Sequence, residues 1–226
     1  MQIYDRAWAE NYEHLAEMSI PGRSGLYRLC HASLIHLPSE SHVLVVGCGT
    51  GTELISLAQA HPGWTFDAID PSEGMLGYCR TALSELDLEK RVRTHQCALS
   101  EFTPPRRYDA TTAILVSQHI TDATAAAEFF GQVHASLRPG GVLFSADLHI
   151  AQNQSRHAML DLWFSHAKMS GAPDEMLTGA RQLFESTLRP RDEDEILKLV
   201  SGAGFRRTLR VFSSLLYGAW RSERDA

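Results

Sequence analysis

This chain of 226 residues has no long apolar run, no closely spaced cysteines and few lysines. No stretch is long and apolar enough to span a membrane, and the chain starts with polar and aromatic residues rather than with a secretory signal. We therefore expect a cytoplasmic protein without a membrane partner. The four cysteines show no CxxC or other metal-type spacing, so the sequence supports neither a zinc site nor a disulfide framework, and we expect no metal.

The basic residues are almost all arginines. Of 21 lysine and arginine residues only Lys90, Lys168 and Lys198 are lysines, which leaves 18 arginines. Arginine favours planar recognition of carboxylates and phosphates. The formal net charge of −6 disfavours a protein that holds long nucleic acid mainly through its electrostatic field. Composition leaves a homodimer open.

The middle of the chain alternates short β-branched runs with helical segments. We predict strands at residues 42–46, 65–70, 92–97, 110–116 and 142–147, and helices at 52–60, 73–86 and 123–137. Such alternation is typical of βαβ units in a parallel sheet. Turn signals precede two of the strands, at residues 62–63 and 139–141.

The two ends of the chain lack this alternation. Helical spacing predicts helices at residues 4–18 and 25–36, and spaced apolar positions predict a helical lid after strand five. A last helix begins at the N-cap Asp192, and runs at 208–212 and 215–220 are close enough to pair as a hairpin. We predict one domain over 1–226, which comprises a helical cap (1–40), a cofactor-binding core (41–149), a lid (150–190) and a last helix with hairpin (191–226).

A glycine-rich loop, GCGTG at residues 47–51, lies between the first predicted strand and the following helix, where ligands of open parallel sheets bind. A plain glycine-rich turn is the alternative. The dinucleotide fingerprint requires a third glycine where this chain has Thr52, which disfavours NAD. Asp70 ends the next predicted strand, where a carboxylate can accept hydrogen bonds from ribose hydroxyls of either ligand class.

From about residue 41 to 220 the sequence resembles the class I S-adenosylmethionine-dependent methyltransferases. The stretches that carry the resemblance are VLVVGCGTG (43–51), IDPSEGML (69–76), the pair at 108–109, and LRPGGVLFSADL (137–148). The resemblance implies an α/β, Rossmann-like, seven-stranded and mostly parallel sheet with the last strand antiparallel, N-terminal helices and a helical lid. It also implies S-adenosylmethionine as cofactor and S-adenosylhomocysteine as product.

Carried over by position, the resemblance assigns ten residues to the cofactor. They are Gly47, Cys48, Gly49, Gly51, Asp70, Pro71, Met75, Ala98, Leu99 and Val116. Two positions depart from the family, which commonly has an acid in the first strand and after the third, where this chain has Val45 and Ala98. Both polar anchors are therefore missing, and Glu101 is a near substitute for a contact to adenine.

Methyl transfer requires two positioned reactants and, for an oxygen or nitrogen acceptor, removal of a proton. His119 directly follows strand four, so it is the candidate general base or substrate contact; a loop histidine bonded to backbone is an equal alternative. We assign Tyr12 and His149 to the substrate site. The alternative for Tyr12 is that it belongs to an apolar helix face packed on the sheet. The alternative for His149, and also for His157 and His166, is a surface or structural histidine.

A narrower resemblance is to the carboxy-S-adenosylmethionine synthases, which work in wobble-uridine modification of transfer RNA. It rests on residues 19–24, 181–185 and 215–218. It implies that Arg181 holds a carboxylate, and it assigns Arg23 to the substrate region, where the family has a tyrosine. Ile114 and Ala98 replace an expected asparagine and aspartate.

Three functions follow from these resemblances. The first is methylation of a small molecule, the second is synthesis of carboxy-S-adenosylmethionine from the methyl donor and prephenate, and the third is a non-catalytic binding protein that keeps the fold. The retained glycines and Asp70 weigh against the third.

Overall fold

A seven-stranded sheet forms the centre of the computed structural model, which describes residues 6–150, 153–186 and 188–225. The strands are β1 His42–Val46, β2 Thr65–Ile69, β3 Val92–His95, β4 Tyr108–Ile114, β5 Leu137–Leu148, β6 Phe205–Ser214 and β7 Tyr217–Arg224. Their order is β3-β2-β1-β4-β5-β7-β6. Among the described strands, β7 alone runs in the opposite direction, and it pairs antiparallel with both β5 and β6. The Rossmann-like sheet, its antiparallel last strand and the terminal hairpin are thus confirmed.

Helices cover both faces of the sheet and its carboxyl-terminal edge. They are α1 Arg6–Ser19, α2 Arg23–Leu34, α3 Thr52–Ala60, α4 Glu73–Glu85, α5 Ala123–Ser136, α6 Arg156–Met169, α7 Asp174–Ser186 and α8 Glu193–Gly202. Ser72, Asp122, Ser155 and Asp192 begin α4, α5, α6 and α8 by accepting a backbone N–H. In the parts of the chain described above, no helix is long and apolar enough to cross a bilayer.

Two hydrophobic cores lie on opposite faces of the sheet. Along β1, Val43 and Val45 point into the core shared with α2, α3 and α4, while Leu44 and Val46 point into the core shared with α5 and α8. The strand is buried on both sides, which is why it reads as a continuous apolar run rather than an alternating one.

A third cluster joins α1, α6 and α7 to the ends of β5 and β7. Trp163 of α6 lies in its centre, packed against Phe184 of α7 at 5.1 Å between ring centroids. Its indole Nε1 donates to the carbonyl of Ser19 at 2.7 Å and to the hydroxyl of Tyr217 at 3.1 Å. The segment predicted as a lid is therefore helical, and a buried indole fixes it to α1.

Several element boundaries differ from the prediction because pairing and backbone conformation override composition. The stretch at 139–141, predicted as a turn, lies inside β5, because Leu137 already pairs with Tyr108 of β4. β4 accordingly begins at Tyr108, and it ends at Ile114 because Leu115 has a φ of 61°. Leu215, predicted to begin the last strand, has a φ of 47° and lies in the hairpin turn.

The predicted N-terminal helix is present as α1, although its Tyr4 lies outside the described residues. α2 begins two residues earlier than predicted, at Arg23, because Gly22 takes the left-handed conformation at its start. The predictions of β1 and α3 are confirmed to the residue.

Candidate active site

The glycine loop after β1 has a backbone that requires glycine. Gly47, Gly49 and Gly51 all have positive φ, at 66°, 54° and 92°. A Cβ at Gly47 would lie 2.5 Å from a methyl group of Val116, and one at Gly51 would lie 2.7 Å from the sulfur of Cys79. The loop is therefore closely packed, and its three glycines have conformational and steric reasons that the motif alone does not show.

Asp70 lies beside this loop with its carboxylate held by two backbone groups. Its Oδ2 accepts the N–H of Gly49 at 2.9 Å and its Oδ1 accepts the N–H of Ser72 at 2.8 Å. Burial raises the pKa of Asp70, and the two N–H groups partly oppose this rise. Because a carboxylate has about four acceptor positions, two remain for hydroxyls. The loop and the strand end thus form one oriented hydrogen-bonding site.

The start of α4 completes this part of the site. Met75 is buried, and its methyl group lies 3.3 Å from the position that a Cβ would take at Gly49. Its N–H is accepted by the side chain of Ser72 at 3.2 Å, so the cap that starts the helix also stands next to Asp70. Pro71, between Asp70 and Ser72 in the chain, is exposed.

The predicted adenine contacts follow β3. Leu99 is buried in the core formed with α5, and Ala98 is half-buried at the start of a short 3-10 turn. Glu101, considered from sequence as a contact to adenine, accepts the N–H of Ala98 at 3.0 Å and so closes its own turn. Val45 is fully buried in the core. The structure therefore supplies no carboxylate at either of the two departing positions.

α1 and α2 reach the glycine loop through an ion pair between the buried Arg23 and the partly exposed Glu13. The Arg23 guanidinium is 2.6 Å from Oε2 of Glu13, whose other oxygen accepts the hydroxyl of Thr50 in the loop. Tyr12 packs beside them, and burial raises its pKa to about 12, so its phenol is protonated at neutral pH. The structure brings Tyr12 and Arg23 to the glycine loop together with Glu13 and Thr50, which were not predicted as site residues.

Glu53 is a buried carboxyl beneath the loop. It lies in the first turn of α3 and accepts the hydroxyl of Thr112 on β4 at 2.5 Å. Burial raises its pKa to about 7, and the Thr112 bond opposes this only in part. Sequence reasoning missed it because an acid in the first turn of a helix is ordinary.

A second polar region follows β4, in the turn formed by residues 117–120, here called the His119 turn. His119 itself is exposed. Under the turn, Asp147 of β5 accepts the N–H of Gln118 at 3.1 Å, and Arg191 donates to the carbonyl of Ser117 at 2.9 Å. Burial raises the pKa of Asp147 to about 7, although the charge of Arg191 opposes this. Neither residue was a sequence candidate.

Of the remaining substrate candidates, His149 follows β5 and pairs with Arg191 in an isolated bridge, beside the His119 turn. His149 is buried edge-on against Trp220, with 5.5 Å between ring centroids, in the core that contains α5 and α8. Arg181 is exposed on α7, where its guanidinium carbon is 4.3 Å from the centroid of the Phe164 ring. His149 is buried, whereas His157 is exposed on α6. Within the described residues, no group of three metal-ligating side chains occurs.

Sequence comparisons relate this chain to known methyltransferase-type proteins. Residues 44–143 match the family described as "Methyltransferase domain". The carboxy-S-adenosyl-L-methionine synthase of Photobacterium profundum is 23% identical over 229 residues, which cover 96% of this chain and 89% of that protein. The enzyme of the same name from Vibrio atlanticus is 25% identical over 83% of this chain and 78% of its own length.

Solved structures show the same fold. The Haemonchus contortus phosphoethanolamine N-methyltransferase 2, in complex with phosphomonomethylethanolamine and S-adenosylhomocysteine, superposes with a TM-score of 0.73 at 13% identity. The match covers 99% of this chain and 58% of that one, so this chain spans little more than half of its length. At this identity the likeness establishes the fold.

Proposed function

Because the chain belongs to the class I S-adenosylmethionine-dependent methyltransferase family, we propose that it transfers the methyl group to a small-molecule acceptor. One observation supports the cofactor site most strongly. The carboxylate of Asp70 is fixed by Gly49 and Ser72 in a loop of positive-φ glycines, which is the arrangement that a ribose diol requires.

The charged residues of α1 and α2 extend this site toward the amino-acid end of the cofactor. Glu13 and Arg23 carry opposite charges next to Thr50 of the glycine loop. A zwitterionic methionine tail offers an ammonium and a carboxylate, which these two side chains complement. When bound, the cofactor supplies an electrophilic methyl group on a sulfonium; the protein must hold it and accept any proton released. His119 is the candidate for that proton.

The acceptor side supports a small molecule. α1 and α6 cover the carboxyl-terminal edge of the sheet, and the cluster between them is aromatic, with Tyr12, Trp163 and Tyr217. A sheet edge covered by helices suits a ligand of limited size better than a macromolecule, and the net charge of −6 does not suit a nucleic acid.

Two measurements test this proposal. Isothermal titration with S-adenosylmethionine and S-adenosylhomocysteine is expected to show binding of both, and no binding of either at millimolar concentration would refute the cofactor site. Methyl-labelled S-adenosylmethionine is then incubated with the protein and a cell extract. Label in the low-mass fraction supports a small acceptor; label confined to protein or RNA contradicts it.

The second candidate is synthesis of carboxy-S-adenosylmethionine, favoured by the match to Photobacterium profundum over 96% of this chain. Arg23, Ala98 and Ile114 speak against it, because each replaces a residue expected in that family. Mass spectrometry of the ligand that copurifies with the protein separates the two activities, since the carboxylated cofactor has a distinct mass.

A further inference from the structure

The segment between α7 and α8 is bonded to the ends of two strands. Residues 189–191, here called the strap, lie across the ends of β4 and β5. The N–H of Arg189 donates to the carbonyl of Gln118 at 3.1 Å, and that of Arg191 donates to Leu148 at 3.2 Å. The N–H of Ile150 donates back to Arg191 at 3.1 Å. The strap therefore joins the end of α7 to the His119 turn and to the end of β5.

The side chain of Arg191 spans the His119 turn from one end to the other. Its Nη1 donates to the carbonyl of Ser117 at 2.9 Å and to the hydroxyl of the same residue at 3.2 Å, while Nη2 donates to the carbonyl of Ile120 at 2.5 Å. Asp147 fixes the middle of the turn through Gln118. Arg191 and Asp147 are only 2% and 1% exposed.

Burial of this pair indicates a positional role rather than a stabilising one. A guanidinium and a carboxylate taken out of water gain little net stability over well-packed apolar residues of similar volume. A planar guanidinium, however, offers several donors in a rigid arrangement, which fixes the direction of each carbonyl that it contacts. Arg191 contacts both ends of one short turn.

The strap is also short enough to transmit a movement of α7. Leu188, directly before the strap, donates its N–H to the carbonyl of Leu183 at 2.9 Å, and Phe184 packs on Trp163 of α6. Only a few residues thus separate the packed end of α7 from Arg191.

We propose that Arg191 is a positioning residue for the His119 turn, and that the strap makes the conformation of this turn depend on the docking of α6 and α7. Under this mechanism, an acceptor that binds and holds α6 and α7 in place also orders the His119 turn. The inference rests on the proposed function only in placing the acceptor at this edge of the sheet.

The first test compares Arg191→Lys with Arg91→Lys. Arg91 is the matched control, since it also donates to main-chain carbonyls, those of Ala58, His61 and Trp64, next to the opposite ends of the strands. Hydrogen exchange at the amides of the His119 turn is expected to become at least tenfold faster in Arg191→Lys and to stay unchanged in Arg91→Lys. Equal exchange in the two variants would overturn the positioning role.

The second test addresses the coupling to the helices. Phe184→Leu loosens the packing of α7, and Phe205→Leu, in the core with α5, is its control. We expect Phe184→Leu, but not Phe205→Leu, to accelerate hydrogen exchange in the His119 turn. When Phe184→Leu is combined with Arg191→Lys, we expect the acceleration to be smaller than the sum of the two single effects. Faster exchange confined to α7 would refute the coupling.

A catalytic readout separates this inference from the proposed function. Arg191→Lys is expected to lower the rate of label transfer from S-adenosylmethionine into the low-mass extract at least tenfold, while the Kd for S-adenosylhomocysteine stays within threefold of the wild type. A rate within twofold of the wild type would overturn the inference. If the wild type transfers no label, the proposed function fails, and the exchange experiments still decide the role of the strap.

Discussion

The two halves of the carboxyl-terminal edge are built from contacts of different range. In the cofactor half, Asp70 is bonded to Gly49 and Ser72, which are 21 and two residues away in sequence. In the acceptor half, Arg191 is bonded to Ser117 and Ile120, which are 74 and 71 residues away. The contacts of Asp70 therefore form within one βαβ unit, whereas those of Arg191 form only when distant segments of the chain meet.

The largest effect that we expect is from Gly47→Val in the cofactor half. The residue has a φ of 66°, and its Cβ would lie 2.5 Å from Val116. Backbone strain costs about 1 to 3 kcal/mol, and overpacking costs a similar amount. Together they should lower the free energy of unfolding by about 2 to 6 kcal/mol. Denaturant unfolding measures this loss.

Gly77→Ala is the matched control for Gly47→Val. Gly77 lies inside α4, and a Cβ there meets no atom within 4 Å. We expect this variant to be neutral or more stable, by up to about 1 kcal/mol. If both variants unfolded at the same denaturant concentration, the cofactor half would not depend on its glycine conformations.

Asp70→Ala tests the hydrogen-bonding part of the same half. Charge-assisted bonds to ribose contribute roughly 1.5 to 3 kcal/mol each, so the affinity for S-adenosylhomocysteine should fall tenfold to several hundredfold by isothermal titration. Stability should also fall, by about 1 to 3 kcal/mol, because the partly buried N–H groups of Gly49 and Ser72 lose their charged acceptor.

Asp67→Asn separates the loss of binding from the loss of stability. Asp67 is a buried carboxylate on β2, the strand that leads into Asp70, and it is bonded to Tyr108 and His95 rather than to the glycine loop. We expect it to lower stability and to leave the affinity within threefold. If Asp70→Ala bound S-adenosylhomocysteine within twofold of the wild type while remaining folded, the assignment of the cofactor site would have to be abandoned.

Glu53 gives the cofactor half a pH dependence of stability. Its pKa is about 7 in the folded protein, against an ordinary value of 4.5. The stability associated with its neutral form is thus fully present below pH 4.5 and is lost as the pH rises through 7, by on the order of 3 kcal/mol. Glu53→Gln should remove this loss.

The measurement is the free energy of unfolding at several pH values between 4.5 and 8, for the wild type and for Glu53→Gln. Asp147, with a pKa also about 7, contributes a fall of the same sign in both proteins. The difference between the two curves therefore isolates Glu53. Parallel curves over this range would show that Glu53 is charged in the folded protein.

What the sequence could predict follows the same division. β1 and α3 were predicted to the residue because glycines bound them and the strand is apolar on both faces. The glycine loop and Asp70 were predicted as neighbours, and they are adjacent in the structure. Local motifs of this kind carry their geometry in a few consecutive residues.

The rest depended on partners that the sequence does not bring together. Arg191 reads as one arginine among 18, and only the meeting of the strap with the ends of β4 and β5 makes it the residue that spans a turn. Glu13 likewise gains its significance from Thr50, 37 residues away. The extended start of β5 came from pairing with β4, which outweighed the turn signal at 139–141.

The smallest effect that we expect comes from removing a helix N-cap in each half. Because the same kind of contact is removed in both halves, any difference between the two variants reflects the halves themselves. Ser72 and Asp122 are the N-caps of α4 and α5, with bonds of 3.2 and 2.8 Å to Met75 and Ala125. Replacing either by alanine should cost about 1 kcal/mol of stability. Only Ser72→Ala should also weaken S-adenosylhomocysteine binding, by less than tenfold, because loss of the side-chain cap loosens the start of α4, where the backbone N–H of residue 72 holds Asp70. Thermal unfolding and titration of the two variants test this, and an equal loss of affinity in both would mean that the two halves respond as one unit.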